Sequence, residues 1–302
     1  MSHTTTVRSL VAGALGSAVT NLRRVTGGDL NDAYAARLTD RRVVFVKTST
    51  NTVPGSYTAE AAGLRWIATA VGAPAVPEVL AVIDPPEPER ERGPRMLALS
   101  WITPGRLTNT GAETLGQGLA ALHQTGAPGY CEAPPGAPAG LRIGPLLLPA
   151  GTAPTWAEAY ATLRLGPLAR RAARSGALTP DALTAIERVC ERLPELAGPT
   201  EPPARLHGDL WAGNVLANTN GVPYLIDPAA YGGHREMDLA MLRLFGGPNE
   251  RCFSAYAEAF PLADGHQERV ELWQLFPLLA HAVLFGRGYG KRAAAIACRY
   301  TS

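Results

Sequence analysis

Apolar residues first recur at helical spacing, with Val7, Leu10, Val11, Leu15 and Ala18 sharing one face. The pattern then changes. Val43–Lys47 is a compact β-branched and aromatic run of the kind that builds a strand. Upstream, the turn Thr26-Gly27-Gly28-Asp29 predicts flanking strands at Leu22–Val25 and Tyr34–Leu38. Thr58–Val71 returns to helical periodicity. Val79–Ile83 and Met96–Trp101 predict two more strands, joined by the Asp84–Arg95 connection, whose prolines and alternating charges predict a solvated hairpin loop. Thr103-Pro104-Gly105 ends this alternation. Beyond it Leu115, Leu119 and Leu122 make one stripe, and Gly126–Pro154 reads as an irregular excursion rich in Pro and Gly. Trp156–Ala173, Pro180–Leu193 and Val270–Phe285 are helical in period. No internal repeat is visible. The pattern predicts an α+β chain with a boundary near residue 102: a small lobe over 1–102 and a larger, mainly helical lobe over 103–302.

Composition changes this picture little. The 302 residues are 46% hydrophobic and 18% charged, enough core material for two modest domains. A net charge of +2 without a dense Lys/Arg run gives no electrostatic reason to expect nucleic acid or an anionic membrane as a partner. The four cysteines never fall at C-x-x-C spacing, so neither a zinc site nor a disulfide framework is predicted. Reduced thiols fit a cytoplasmic location. Leu10–Val19 has the look of a signal-peptide core, but its helical spacing favours a folded helix. No stretch reaches the 18 to 20 or so apolar residues that a bilayer demands.

The chemistry concentrates in His207-Gly208-Asp209 and the residues after it. Asp209 followed five residues later by Asn214 matches the spacing of a kinase catalytic loop, in which the Asp accepts the proton of the attacking hydroxyl and the Asn holds magnesium. Asp227 ends the apolar run Tyr224-Leu225-Ile226, as a second oxygen ligand for Mg²⁺ at a strand tip would. Asn218-Thr219-Asn220-Gly221 supplies a hairpin turn that brings Asn214 and Asp227 together. Either carboxylate alone would be read as a turn residue or helix cap; their joint spacing favours catalysis. Lys47, at the end of its strand, resembles the lysine that pairs with ATP phosphates. Glu60 lies on the face of Leu64, Ile67 and Val71, where a carboxylate is costly unless paired, and Lys47 is the natural partner. Gly27 and Gly28 stand where a phosphate-covering loop belongs. Ser100, Trp101 and Ile102 fall at the lobe junction, where backbone groups meet adenine.

These residues, with Trp211, Asp227-Pro228-Ala229, the segment Tyr231-Gly232-x-His234-x-Glu236-x-Asp238-Leu239-Ala240 and Phe245-Gly246-Gly247, resemble the fructosamine kinase (ketosamine-3-kinase) family. More thinly, the similarity takes in Leu119–Gly126, Trp156 and Arg164-Leu165. It implies a two-lobed, protein-kinase-like fold with a small antiparallel-sheet lobe. It implies ATP and Mg²⁺ as cofactors, and phosphorylation at C3 of a ketosamine formed by glycation of a small amine or a protein lysine. Asp209 would be the base, Asn214 and Asp227 the metal ligands, and Lys47 with Glu60 the phosphate clamp. Trp211 would wall the sugar site, and His234 and Glu236 would lie near the acceptor or brace the loop. Asp238 would cap its helix or brace the catalytic loop. His123 and His281 read as core histidines.

Two departures stand out. Asp29 replaces a cysteine common in relatives, and Leu141–Gly151 replaces a more polar stretch near the sugar site, which leaves the acceptor less defined than the chemistry. Other readings remain: a kinase of the same fold acting on an aminoglycoside or simple sugar, or a nucleotide-binding module without turnover. A hydrolase built on His207 and Asp209 lacks further ligands at suitable spacing. Pro228 after Asp227, with no glycine following, predicts a metal-binding segment held in one conformation.

Overall fold

The computed structural model describes residues 3–25, 32–49, 53–85 and 95–301. Gly27, Gly28 and Asp29 lie outside them, as does most of the connection after Asp84.

The small lobe opens with helix α1 (His3–Leu15), then strands β1 (Val19–Arg24), β2 (Asp32–Leu38) and β3 (Val43–Ser49), helix α2 (Ser56–Ala68), and strands β4 (Val79–Ile83) and β5 (Arg95–Ser100). The five strands form one antiparallel sheet in the order β1-β2-β3-β5-β4, with Lys47 opposite Ala33 and Leu97. The two-residue period of β3 sorts its side chains between two layers. Val44 and Val46 pack with Val7 and Val11 of α1, while Phe45 packs with Tyr57, Ala61 and Leu64 of α2. Lys47 follows Phe45 on that second face and so points into the cleft. The ends of the Asp84–Arg95 connection depart from the solvated loop that the sequence predicts. The Asp84 side chain is fully buried, accepts from the backbone N–H groups of Gly55 and Thr58 at the start of α2, and pairs with Arg95 at 2.6 Å.

The large lobe begins with α3 (Asn109–Gln124), whose Thr108 hydroxyl accepts from Gly111 N–H and caps the first turn. A short hairpin follows, β6 (Leu141–Ile143) and β7 (Leu146–Leu148), inside the segment expected to be irregular. The helix expected over Trp156–Ala173 is present but not uniform. It runs as α4 (Trp156–Ala159), a π-helical segment (Tyr160–Leu165) and α5 (Gly166–Arg174). Then come α6 (Pro180–Leu196), β8 (Ala204–Leu206), a 3₁₀ turn (Ala212–Asn214), β9 (Val215–Ala217), β10 (Pro223–Leu225) and β11 (Tyr231–Gly233). Four helices close the lobe: α7 (Glu236–Leu244), α8 (Glu250–Ala259), α9 (His266–Phe285) and α10 (Arg287–Thr301). Helices α8 and α10 were not foreseen. The large core joins α6, α9 and α10 around Trp156, Tyr160, Leu193, Trp273 and Ile296. A second core joins α3 to α7 and α8 and takes in Leu210 and Leu225, which flank the catalytic segment. No helix among the described residues is long and apolar enough to cross a membrane.

Candidate active site

Three pieces of local structure bring the candidate residues to one cleft of about 1090 Å³ between the lobes. Strand β3 supplies Lys47 and α2 supplies Glu60. The segment from β8 to β11 supplies Asp209, Trp211, Asn214 and Asp227, and Ser100, Trp101 and Ile102 line the same cleft at the crossing between lobes.

Gly208 makes the bend before Asp209 possible. Its φ is +82°, and a side-chain carbon there would fall 1.9 Å from the Ala229 carbonyl oxygen. The bend is fixed from below by Asp238, whose carboxylate accepts from His207 N–H at 2.7 Å and Gly208 N–H at 2.9 Å. Asp238 is the third residue of α7, so it braces the Gly208 bend rather than capping its own helix. Its carboxyl is wholly enclosed, which would raise its pKa. The His123 side chain within hydrogen-bond reach, the electrostatic pull of the His123 and His207 rings, and the Gly208 N–H outweigh that and hold it below the usual range. His123 is buried, with Nδ1 2.9 Å from the Tyr256 hydroxyl, and so ties α3 and α8 to this brace. His207 is also buried, its Nε2 2.9 Å from the Ile226 carbonyl, and burial lowers its pKa. A neutral ring then donates to that carbonyl. His281 differs from expectation: it is half-buried, bonded to the Pro277 carbonyl and packed at tilted angles among the rings of Phe245, Phe285 and Tyr289.

The hairpin of β9 and β10, with Ala217 opposite Pro223, places Asn214 and Asp227 side by side as its turn signal predicts. Ile226 N–H donates to the Asn214 carbonyl at 3.0 Å, closing the base of the pair. The Asn214 amide nitrogen donates to the Asp209 carbonyl oxygen at 2.8 Å and to its carboxylate at 3.1 Å. Among the described residues this leaves the Asn214 side-chain oxygen without a hydrogen-bond partner. Asp227 has φ of +55°, one of three positive-φ residues other than glycine among those described. Lys47 Nζ donates to Glu60 at 2.8 Å and to Asp227 at 2.5 Å.

Electrostatics show what the site lacks. Three carboxylates, Glu60, Asp209 and Asp227, share one cation, Lys47. Burial alone would lower the Lys47 pKa, but Glu60 and Asp227 outweigh it and hold the ammonium charged. Burial raises the Glu60 carboxyl above its ordinary range, against the pull of Lys47. Burial and the facing Asp227 push the Asp209 carboxyl up to about 7, against the hydrogen bond from Asn214. The Asp209–Asp227 carboxylate pair, only partly offset by the Lys47 ammonium, lies beside the Asn214 amide oxygen as a hard, all-oxygen donor set, and it suits Mg²⁺.

Trp211 is 40% exposed, with its ring against Gly213. A tryptophan left this open on a cleft wall is free to contact a ligand. His234 and Glu236 are not at the cleft. His234 is 3% exposed and stacks on Trp273 at 5.3 Å. Glu236 is buried, forms a two-pronged pair with Arg269 at 2.7 and 3.0 Å, and accepts from the Trp273 indole at 2.7 Å. Glu236 ties α7, and His234 ties the segment before it, to α9, so the expected place near an acceptor is corrected. Their partners lie more than thirty positions away, and no local spacing announces them.

A sequence model of the fructosamine kinase family matches residues 3–301. A probable ketoamine kinase of Synechocystis sp. is 34% identical over 272 residues, covering 90% of this chain and 87% of its own. A crystal structure from Thermobifida fusca, provisionally named fructosamine-3-kinase, superposes with a TM-score of 0.87 at 39% identity and covers 98% of both chains. A thermostable mutant aminoglycoside phosphotransferase, solved with ADP and hygromycin B, shares the fold at a TM-score of 0.60 and 16% identity, covering 98% of this chain and 99% of its own. With its two-lobed, kinase-like α+β architecture and a match along almost its whole length, the chain belongs to the fructosamine kinase family.

Proposed function

We propose that this protein transfers the γ-phosphoryl group of ATP to the C3 hydroxyl of a ketosamine, the product of sugar condensation with an amine. The observation that carries this reading is the convergence of Asp209, Asn214, Asp227 and the Lys47–Glu60 pair on one interlobe cleft walled by Trp211. ATP lies between the lobes, with adenine near Ser100–Ile102 and its phosphates toward Lys47. Asn214 and Asp227 would hold Mg²⁺, which when bound neutralises charge on the phosphates. Asp209 orients the attacking hydroxyl and takes its proton as the new P–O bond forms and the β–γ bridging bond breaks, releasing ADP. Trp211 offers its face to sugar C–H groups and to the substrate ammonium.

Phosphorylation at C3 would prime the ketosamine to shed its sugar, which makes the protein a cytoplasmic deglycation enzyme. The competing acceptors of the same fold are aminoglycosides and simple sugars. ADP release measured with fructosyl-amines, ribosyl-amines and kanamycin separates them, with NMR assignment of the phosphorylated carbon. Turnover of kanamycin alone would reject the ketosamine reading, and no turnover of any acceptor, with ATP bound equally by wild type and Asp209→Asn, would make the protein a non-catalytic binder.

A further inference from the structure

The segment 133–145 overlaps the start of Leu141–Gly151, the stretch whose sequence departs from its relatives, and it forms one wall of the cleft. It also meets the small lobe. Gly55, at the N-terminus of α2 with φ of +81°, faces it so closely that a side-chain carbon there would lie 2.9 Å from Pro138 and 3.3 Å from a terminal nitrogen of Arg142. The Arg142 guanidinium therefore stands directly against the first turn of α2.

Two polar atoms at this junction have no hydrogen-bond partner among the described residues, Arg142 Nε and Ser56 Oγ, and both are buried. Both residues line the cleft. One terminal nitrogen of Arg142 donates to the backbone carbonyls of Ala139 at 3.1 Å and Pro138 at 3.5 Å. Asp84 is the carboxylate whose charge reaches Arg142, but it already serves Arg95 and the N–H groups of Gly55 and Thr58. Burial lowers the Arg142 pKa, and the charge of Asp84 opposes this only in part. A desolvated guanidinium with a free N–H and, beside it, a free hydroxyl together favour an oxyanion.

Charge also divides the cleft. Its carboxylates cluster around Lys47, whereas the wall made of 133–145, Trp211 and Phe285 carries Arg142 as its single charged side chain among the described residues. A polycationic acceptor finds no counter-charge on this wall. We propose that Arg142, with Ser56, binds a carboxylate on the amine half of the acceptor, so that the preferred substrates are ketoamines formed on free amino acids. This inference rests on the ketosamine kinase reading.

The test compares acceptors matched except for the carboxylate: fructosyl-glycine with fructosyl-glycinamide, and fructosyl-6-aminohexanoate with fructosyl-hexylamine. Wild type should favour the carboxylate member of at least one pair by about tenfold in kcat/KM, the scale of one charge-assisted contact. Arg142→Met should erase that ratio, Arg142→Lys should keep part of it, and Ser56→Ala should reduce it. Melting temperature and KM for ATP show that each variant is folded. Equal turnover of both members by wild type, or an equal loss for both in Arg142→Met, overturns the proposal. So does Arg142-dependent binding of inorganic phosphate that fails to compete with the carboxylate acceptor, since the anion site would then be separate. If no ketoamine of either charge is phosphorylated, the kinase reading itself falls; turnover without charge preference removes this inference alone.

Discussion

Asp209 carries the sharpest conflict between stability and function. Its carboxyl, raised to about 7, binds a proton in the folded protein at pH values where the unfolded chain, near 3.9, has lost it. Free of metal and nucleotide, the protein should therefore lose stability as pH rises from about 4 to about 7, with the whole cost present above that window. Asp209→Asn should lower turnover by about a thousandfold or more, yet raise stability at pH 8 by about 1–3 kcal/mol and flatten its pH dependence. Thermal melts from pH 4 to 8 check this, and an Asn variant less stable than wild type at pH 8 would contradict it. Glu236 belongs to the opposite class. Glu236→Gln leaves Arg269 charged and buried without its partner, which should cost about 3 kcal/mol. Since neither residue reaches the cleft, KM for ATP and for the acceptor should hold, and a selective rise in acceptor KM would return Glu236 to the substrate site.

At the scale of elements, the hairpin of β9 and β10 and the segment after it decide where Asp227, the proposed second oxygen ligand, stands. Asp227 is held in a left-handed conformation by Pro228 beyond it, the Asn214–Ile226 backbone bond before it and Lys47 across the cleft. Proline has a fixed φ and no glycine follows, so the segment lacks the backbone freedom for a flip. Crystals grown with and without an ATP analogue should show Asp227 in the same conformation, and a carboxylate swung out of the cleft in either would refute this. Helix α2 is anchored differently. Asp84, from the end of β4, caps its first turn, and Lys47 grips its middle through Glu60. The sequence pointed to the Lys47–Glu60 contact, because a carboxylate on an apolar helical face demands a partner. It concealed the Asp84 cap, because a charged residue in a proline-rich connection reads as solvated.

For the whole molecule, the site exists only where the two lobes face each other, so filling it should stabilise both. ATP with Mg²⁺ at a hundred times its Kd should add about 2.7 kcal/mol to folding stability. EDTA should remove most of that gain, and a gain indifferent to chelation would argue against Asn214 and Asp227 as metal ligands.

Asp209, Asn214, Asp227 and Lys47 were legible because their chemistry is local: a loop spacing, a turn signal and a strand period set them within a few residues. The strands of the small lobe and most of the long helices were legible for the same reason, since a repeating apolar face imposes its period on the chain. Tertiary structure alone decided the rest. It sent His234 and Glu236 into the core, made Asp238 the brace of the catalytic bend, inserted a π-helical segment into the helix after Trp156, and set Arg142 against the start of α2. Each of these depends on a partner thirty or more positions away, and a pairing at that distance is chosen by packing and by the need to satisfy buried charge, which no stretch of sequence displays.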